Sequence, residues 1–121
     1  MRTLRVFKSF RDAGRGVAYV FRHEQNFRIQ LCFALVVIAA MFVFGLRTSE
    51  MVVVLLLIVL VLLLEFLNSA FEKFIDIVKP RLAYQVEVIK DILAAMVLFA
   101  SLGASVIGLI IFWPHILRLF L

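Results

Sequence analysis

Three long apolar segments dominate the chain and predict three helices that cross a membrane. They run from Ile29 to Leu46, from Met51 to Phe71 and from Ile92 to Phe112. Each is long enough to cross the hydrocarbon of a bilayer, which takes about 20 residues of α-helix. Only residues 47–50 link the first two segments, so those helices must form an antiparallel hairpin. We therefore predict an all-α membrane protein forming a single domain over residues 1–121.

The first 28 residues show a different pattern, with apolar positions separated by basic ones. The apolar positions recur near helical spacing, at Leu4, Phe7, Val17, Val20 and Phe21. The charged residues of this segment fall largely on other faces of the same helix. This pattern is typical of an amphipathic helix that lies in the membrane interface. We predict that residues 1–28 form such a surface helix.

The distribution of positive charge predicts how the chain is oriented in the membrane. Seven of the 13 Lys and Arg residues precede the first span, and four more lie between the second and third. Only Arg47 and Arg118 remain for the opposite side. Because basic loops stay in the cytoplasm, we predict a cytoplasmic N-terminus and an external C-terminus. The net charge of +5 then reflects topology and anionic lipids rather than nucleic-acid binding.

Composition agrees with this class: 65% of the residues are hydrophobic, and no soluble domain of ordinary composition has room in the chain. The single cysteine, Cys32, lies within the first span, which excludes an intrachain disulfide.

A stripe of polar side chains follows the second apolar segment. At about 100° per residue, Glu65, Asn68, Glu72 and Asp76 fall within an arc of about 80° on one helix face. Ionisable groups at bilayer depth are costly and are usually functional. The alternative is that the stripe only forms hydrogen bonds and ion pairs between helices. For the group as a whole we favour a chemical role.

Further charged residues converge on the same membrane face. Glu24 lies about one turn outside the first span, and Lys90 and Asp91 enter the third. One or two carboxylates, with substrate phosphates and waters, are the usual ligands of Mg²⁺. Another carboxylate nearby could act as a general base toward a lipid hydroxyl. These parts suit phosphoryl transfer from MgATP to a membrane alcohol, although the chain has no G-x-x-x-x-G-K-(S/T) or G-x-G-x-x-G loop.

The central polar segment matches a family motif. Residues 65–76 read E-F-L-N-S-A-F-E-K-F-I-D, which is similar to the pattern E-x-x-N-(S/T)-A-(I/F)-E-x-x-x-D of the prokaryotic diacylglycerol kinase family. Phe10-x-x-Ala13-x-x-Gly16, the segment E-Q-N-F-R-I at 24–29, and Lys90-Asp91 extend the resemblance over about residues 5 to 114. The family comprises small three-span lipid kinases of the bacterial inner membrane. Residues 24–29 and the ending at 108–114 most resemble the Gram-positive branch, whose members prefer undecaprenol to diacylglycerol.

The resemblance implies a role for each matching residue at the reacting centre. Glu65 matches the catalytic base that takes the proton from the lipid hydroxyl. Asn68 lies beside the reacting centre in the family. Glu24 and Glu72 match the ligands of Mg²⁺. The implied activity is ATP-dependent phosphorylation of undecaprenol or diacylglycerol by direct transfer of the γ-phosphate.

On the nucleotide side, the resemblance implies that Lys90 steadies the phosphates of ATP. Asp91 and Arg5 match nucleotide contacts, and Asp76 fits a supporting role near the nucleotide. Family members are homotrimers whose sites are shared between subunits. One chain is therefore not expected to contain a complete site.

The chain departs from the family pattern before the third span. Relatives usually carry a His and then A-K-x-A-K-D, whereas residues 82–91 read L-A-Y-Q-V-E-V-I-K-D. The missing His and first Lys remove polar contacts to the nucleotide, for which Tyr84 or Arg81 could substitute. Because of this stretch, one alternative is that the chain is a catalytically inactive relative that acts as a membrane assembly factor. A small ion-coupled transporter is the other alternative, although its carboxylates would be expected nearer mid-bilayer.

Overall fold

The chain forms four α-helices in the computed structural model, which describes residues 1–78 and 83–121. Helix α1 covers Arg2–His23, α2 covers Gln25–Val43, α3 covers Thr48–Val78 and α4 covers Ala83–Phe120. Helices α2, α3 and α4 are long and apolar enough to cross a membrane, as the sequence predicts. Arg81, suggested above as a substitute nucleotide contact, lies outside the described residues.

Helices α3 and α4 extend beyond the predicted apolar spans at both ends, whereas α2 begins before its predicted span and ends at Val43, three residues before Leu46. Helix α3 begins at Thr48 and continues to Val78, and α4 runs from Ala83 through Pro114 to Phe120. The apolar run marks only the part of each helix that would meet hydrocarbon, because backbone hydrogen bonding continues where the side chains become polar. Helix α1 is present, but it ends at His23 instead of continuing through residue 28. Its placement on a membrane surface stays a prediction.

The predicted hairpin between α2 and α3 is formed by a tight helix end. Gly45 adopts a φ of +64°, a conformation that favours glycine because it has no side chain. The Leu46 amide then donates to the Met41 carbonyl at 3.1 Å, which satisfies a carbonyl at the end of α2. Leu46 packs with Met41 and Val54 in a small core. We call this part of the bundle the hairpin end.

A polar network at the hairpin end ties the last turns of α4 to the start of α3. His115 is 6% exposed, and its Nε2 lies 3.0 Å from Glu50 Oε1. Arg118 Nη2 lies 2.8 Å from His115 Nδ1. Because a guanidinium can only donate, Nδ1 accepts from Arg118 and the His115 proton resides on Nε2, which donates to Glu50. The network holds α4 against α3 beyond Pro114.

Replacing His115 by leucine is expected to destabilise the protein without changing its helix content. The variant places an apolar side chain of similar size at the buried position but leaves Arg118 and Glu50 without their shared partner, a loss of about 1–3 kcal/mol. Thermal unfolding in detergent measures the effect, with Phe120→Leu, at an exposed position of the same helix, as the matched control. Equal melting temperatures for the two variants would contradict a structural role for the network.

Candidate active site

The break between α1 and α2 sets the position of Glu24. Glu24 is extended, with φ of −114° and ψ of 107°, and separates the two helices. Arg28 reaches back from α2, and its Nη1 donates to the carbonyls of Phe21 at 2.7 Å and Arg22 at 3.0 Å. Carbonyls in the last turn of a helix lack partners within it, so this contact caps α1. The Glu24 carboxylate is thereby directed from the junction toward α3.

Helix α3 presents its polar stripe to that junction. The rings of Phe27 and Phe66 lie 4.8 Å apart and hold α2 against α3 beside the stripe. Glu65 is only 3% exposed, and Ser69, one turn farther along, is also buried. Ser69 Oγ donates to Glu24 Oε1 at 3.3 Å, which links the junction directly to the stripe.

The structure brings three of the predicted carboxylates together. Glu65 lies close enough to Glu24 and Glu72 for electrostatic repulsion from both carboxylates. Glu24 and Glu72 are within hydrogen-bonding reach of each other, and Asn68 Nδ2 approaches Glu72 Oε1 at 3.5 Å. Lys90 of α4 is near enough to attract Glu72. We call this group of residues the carboxylate cluster: Glu24, Glu65, Asn68, Ser69, Glu72 and Lys90.

Three other predicted site residues lie outside the carboxylate cluster. Asp76 and Asp91 are exposed, each next to the cluster along its own helix. Arg5 is exposed near the start of α1, about 27 Å from His23 along a straight helix. A single chain therefore does not bring Arg5 to Glu24.

The divergent stretch before the third span contributes an apolar residue to the packing between α3 and α4. Val86 is buried with Ile75 and Leu93, and these residues form the core between α3 and α4 at this end of the bundle. Tyr84, suggested above as a substitute contact, is 82% exposed. Val86, at a position where relatives usually carry Ala, thus contributes to helix packing.

The residues present fit a magnesium ion shared with a nucleotide. In the described part of the chain, no group of three or more His, Cys, Asp or Glu residues is placed to hold a metal by itself. Mg²⁺, however, is usually held by one or two carboxylates and completes its octahedron with waters and substrate phosphates. Glu24 and Glu72 supply two carboxylates, and their mutual repulsion favours a cation between them.

Two features of the site were not predicted from the sequence. Ser69 lies four residues after Glu65, at about 40° on the same stripe, so its helical position was the signal that could have identified it. The contact of Lys73 with Tyr19, at 5.3 Å from Nζ to the ring centroid, joins α3 to α1 beside the carboxylate cluster. Residues so far apart in sequence give no local signal of their contact.

Comparison with known proteins identifies the family. The model of the prokaryotic diacylglycerol kinase family matches residues 11–112. An undecaprenol kinase of Bacillus subtilis is 34% identical over 112 residues, which cover 93% of this chain and 91% of the relative. A diacylglycerol kinase of Synechocystis is 33% identical over 112 residues, covering 92% of this chain but only 64% of that longer relative. With its three apolar helices, this chain is a multi-pass membrane protein that belongs to the prokaryotic diacylglycerol kinase family of lipid kinases.

Proposed function

We propose that the protein transfers the γ-phosphate of ATP to the primary hydroxyl of a membrane lipid, either undecaprenol or diacylglycerol. The observation that carries the proposal is the burial of Glu65 directly beside Glu24 and Glu72. A buried carboxylate suits a base that meets a lipid group, and the partly exposed pair suits a cation bound to a nucleotide. Family membership supports the same reaction class.

Glu65 acts on the acceptor in this mechanism. Its carboxylate accepts the proton of the lipid hydroxyl while the hydroxyl oxygen attacks the γ-phosphorus of ATP. The new O–P bond forms as the bond from the γ-phosphorus to the β,γ-bridging oxygen breaks, and ADP leaves. Asn68 lies beside the reacting centre and orients Glu72 through the contact between their side chains. The transfer is direct and in line, without a phosphoenzyme.

The nucleotide lies on the other side of Glu65 in the proposed complex. Glu24 and Glu72 would hold Mg²⁺, which supplies charge neutralisation on the phosphate oxygens when bound. Lys90 attracts the phosphates electrostatically, and Asp91 and Asp76 lie at the edge of the nucleotide region. The distance of Arg5 from Glu24 within one chain supports its contribution to the site of another subunit. A homotrimer with shared sites satisfies that requirement.

The orientation follows from the charge distribution and from the position of the site. The carboxylate cluster lies at the end of the bundle opposite the hairpin end, next to the segments whose basic residues predict a cytoplasmic location. The proposed location is the bacterial inner membrane, with ATP entering from the cytosol and lipid approaching laterally. A coupled transporter would be expected to carry its carboxylates near mid-bilayer, whereas among the described residues Glu24 and Glu72 meet at one end of the bundle.

Undecaprenol is the acceptor that we propose first. The resemblance of residues 24–29 and 108–114 to the Gram-positive branch supports it, and so does the similarity to the undecaprenol kinase of Bacillus subtilis over nearly the full length of both chains. Both candidate lipids present one primary hydroxyl, so the choice between them depends on the apolar surface that receives the rest of the lipid.

A phosphate-transfer assay tests the proposed function. Purified protein in lipid–detergent micelles, with Mg²⁺ and ATP labelled at the γ-phosphate, is expected to label undecaprenol in preference to diacylglycerol. Label in diacylglycerol alone would retain the kinase and overturn the proposed acceptor. Failure to label either lipid, from a well-folded oligomer, would contradict the activity and favour a catalytically inactive relative. Substrate-dependent proton movement in liposomes would instead favour a transporter.

A further inference from the structure

A contact between a cation and an aromatic ring lies next to the two proposed Mg²⁺ ligands. Lys73 Nζ is 5.3 Å from the centroid of the Tyr19 ring, and that ring stacks on His23 with 4.1 Å between centroids. Lys73 directly follows Glu72, and His23 directly precedes Glu24. The contact therefore joins α1 to α3 at positions adjacent to both carboxylates.

The placement of Glu24 beside Glu72 requires contacts that oppose charge repulsion. Two carboxylates within reach of each other are repelled until a cation binds. Glu24 is in extended backbone between two helices. Its amide donates to the Val20 carbonyl at 2.8 Å and its carbonyl accepts from the Arg28 amide at 3.3 Å, and neither bond joins α1 to α3. Ser69 donates to Glu24, and this hydrogen bond acts on the carboxylate and not on the last turns of α1.

Helix α1 has few means of holding its own end in place. Val20 is its only buried residue, and the rest of the helix is exposed along its length. Arg28 caps the last carbonyls of α1 from α2, which fixes the junction but not the distance from α1 to α3. The Lys73–Tyr19 contact crosses that gap.

We propose that Lys73 and Tyr19 are positioning residues that hold the last turns of α1 against α3, and so keep Glu24 beside Glu72 for a divalent cation. This inference rests on the proposed function, since it concerns the same pair of carboxylates. Neither residue touches the reacting atoms in this role. Their action on the site passes through the backbone of residues 20–24 and through the neighbouring turn of α3.

A purely electrostatic effect of Lys73 on the carboxylates would make the opposite prediction for a variant that removes its charge. Removing the positive charge of Lys73 would, by electrostatics, make the carboxylate pair more attractive to a cation. Replacing Tyr19 by leucine leaves every charge unchanged but removes the ring. Weaker cation binding in Tyr19→Leu therefore indicates positioning and not a change in local potential.

Manganese binding to the resting protein tests the inference. Mn²⁺ is titrated, with EPR detection of the free ion, into the full chain in its native oligomeric form in detergent, without nucleotide or lipid. An exposed cation–aromatic contact contributes about 0.5–1 kcal/mol, so Tyr19→Leu is expected to raise the Kd for Mn²⁺ about two- to fivefold. Tyr19→Phe keeps the ring but removes the hydroxyl that also interacts with Lys73, so it is expected to raise the Kd less than Tyr19→Leu does.

A double-mutant cycle separates the contact from general structural damage. In a Lys73→Gln background the change of Tyr19 to leucine is expected to have no further effect on the Kd, whereas in a Lys73→Arg background it is expected to keep its effect. Equal effects of Tyr19→Leu in all backgrounds, or equal binding by Tyr19→Leu and Tyr19→Phe, would overturn the inference.

One more variant distinguishes failure of the inference from failure of the proposed function. Glu24→Gln is expected to weaken Mn²⁺ binding strongly. If it does so while Tyr19 and Lys73 show no coupling, the inference is wrong and the metal assignment stands. If Glu24→Gln leaves Mn²⁺ binding unchanged, the metal assignment is overturned, and the positioning role is overturned with it.

Discussion

Replacing Glu65 by glutamine is expected to lower kcat for lipid phosphorylation by at least about a hundredfold, the usual minimum for loss of a general base. Glutamine has nearly the same size as glutamate, so it fits the buried position on α3 without opening a cavity. Its amide cannot accept the proton of the lipid hydroxyl. Binding of nucleotide and divalent cation depends on other residues and is expected to change little. Single-turnover transfer of labelled phosphate to undecaprenol measures the effect.

The control for this variant neutralises a carboxylate outside the carboxylate cluster. Asp12 is exposed on α1, and Asp12→Asn is expected to keep kcat near that of the unmodified protein. Circular dichroism and the oligomeric state in detergent check that both variants fold. If Glu65→Gln phosphorylated lipid at the unmodified rate, Glu65 would not be the base, and another group would have to remove the proton.

The sequence predicted the features that a bilayer itself imposes. Hydrocarbon requires every backbone polar group to be paired within the segment, so long apolar runs must be helices. The short link at residues 47–50 then leaves only an antiparallel hairpin. Helical periodicity also places Glu65 and Glu72 on one face, because that arrangement follows from spacing alone.

The features that the sequence missed depend on contacts between distant residues. The charge and hydropathy pattern around Glu24 is compatible with one continuous helix over residues 1–28. The break at Glu24 is stabilised instead by Arg28, which caps the end of α1, and by the packing of Phe27 on Phe66. The direction of the Glu24 carboxylate, and therefore its meeting with Glu72, depends on that break.

The hairpin end illustrates the same limit. Pro114 after the third apolar span favours an end to the helix, because proline lacks an amide hydrogen. In the structure α4 continues to Phe120, and His115 forms a hydrogen bond with Glu50 on α3. The partner of His115 in this hydrogen bond lies 65 residues away in the chain, where local sequence carries no sign of it.

Glu72→Gln is expected to act on the nucleotide side of the reaction and therefore to differ from Glu65→Gln in its dependence on Mg²⁺. Loss of one of two carboxylate ligands weakens the binding of the cation that neutralises the phosphates. That neutralisation is worth several kcal/mol in the transition state. We expect kcat/KM for MgATP to fall by about a hundredfold or more at low Mg²⁺. Raising the Mg²⁺ concentration is expected to restore part of the loss, because mass action refills a weakened site.

The comparison between the two variants assigns the two carboxylates separately. Added Mg²⁺ is expected to rescue Glu72→Gln but not Glu65→Gln, since a missing base is not replaced by more cation. Initial rates measured as free Mg²⁺ is raised at a constant MgATP concentration, with Asp12→Asn as the charge-matched control, give the result. An unchanged Mg²⁺ dependence in Glu72→Gln would show that Glu72 is not a ligand. Rescue of both variants would show that the carboxylate cluster acts as one electrostatic unit, in which neither residue has a separate chemical role.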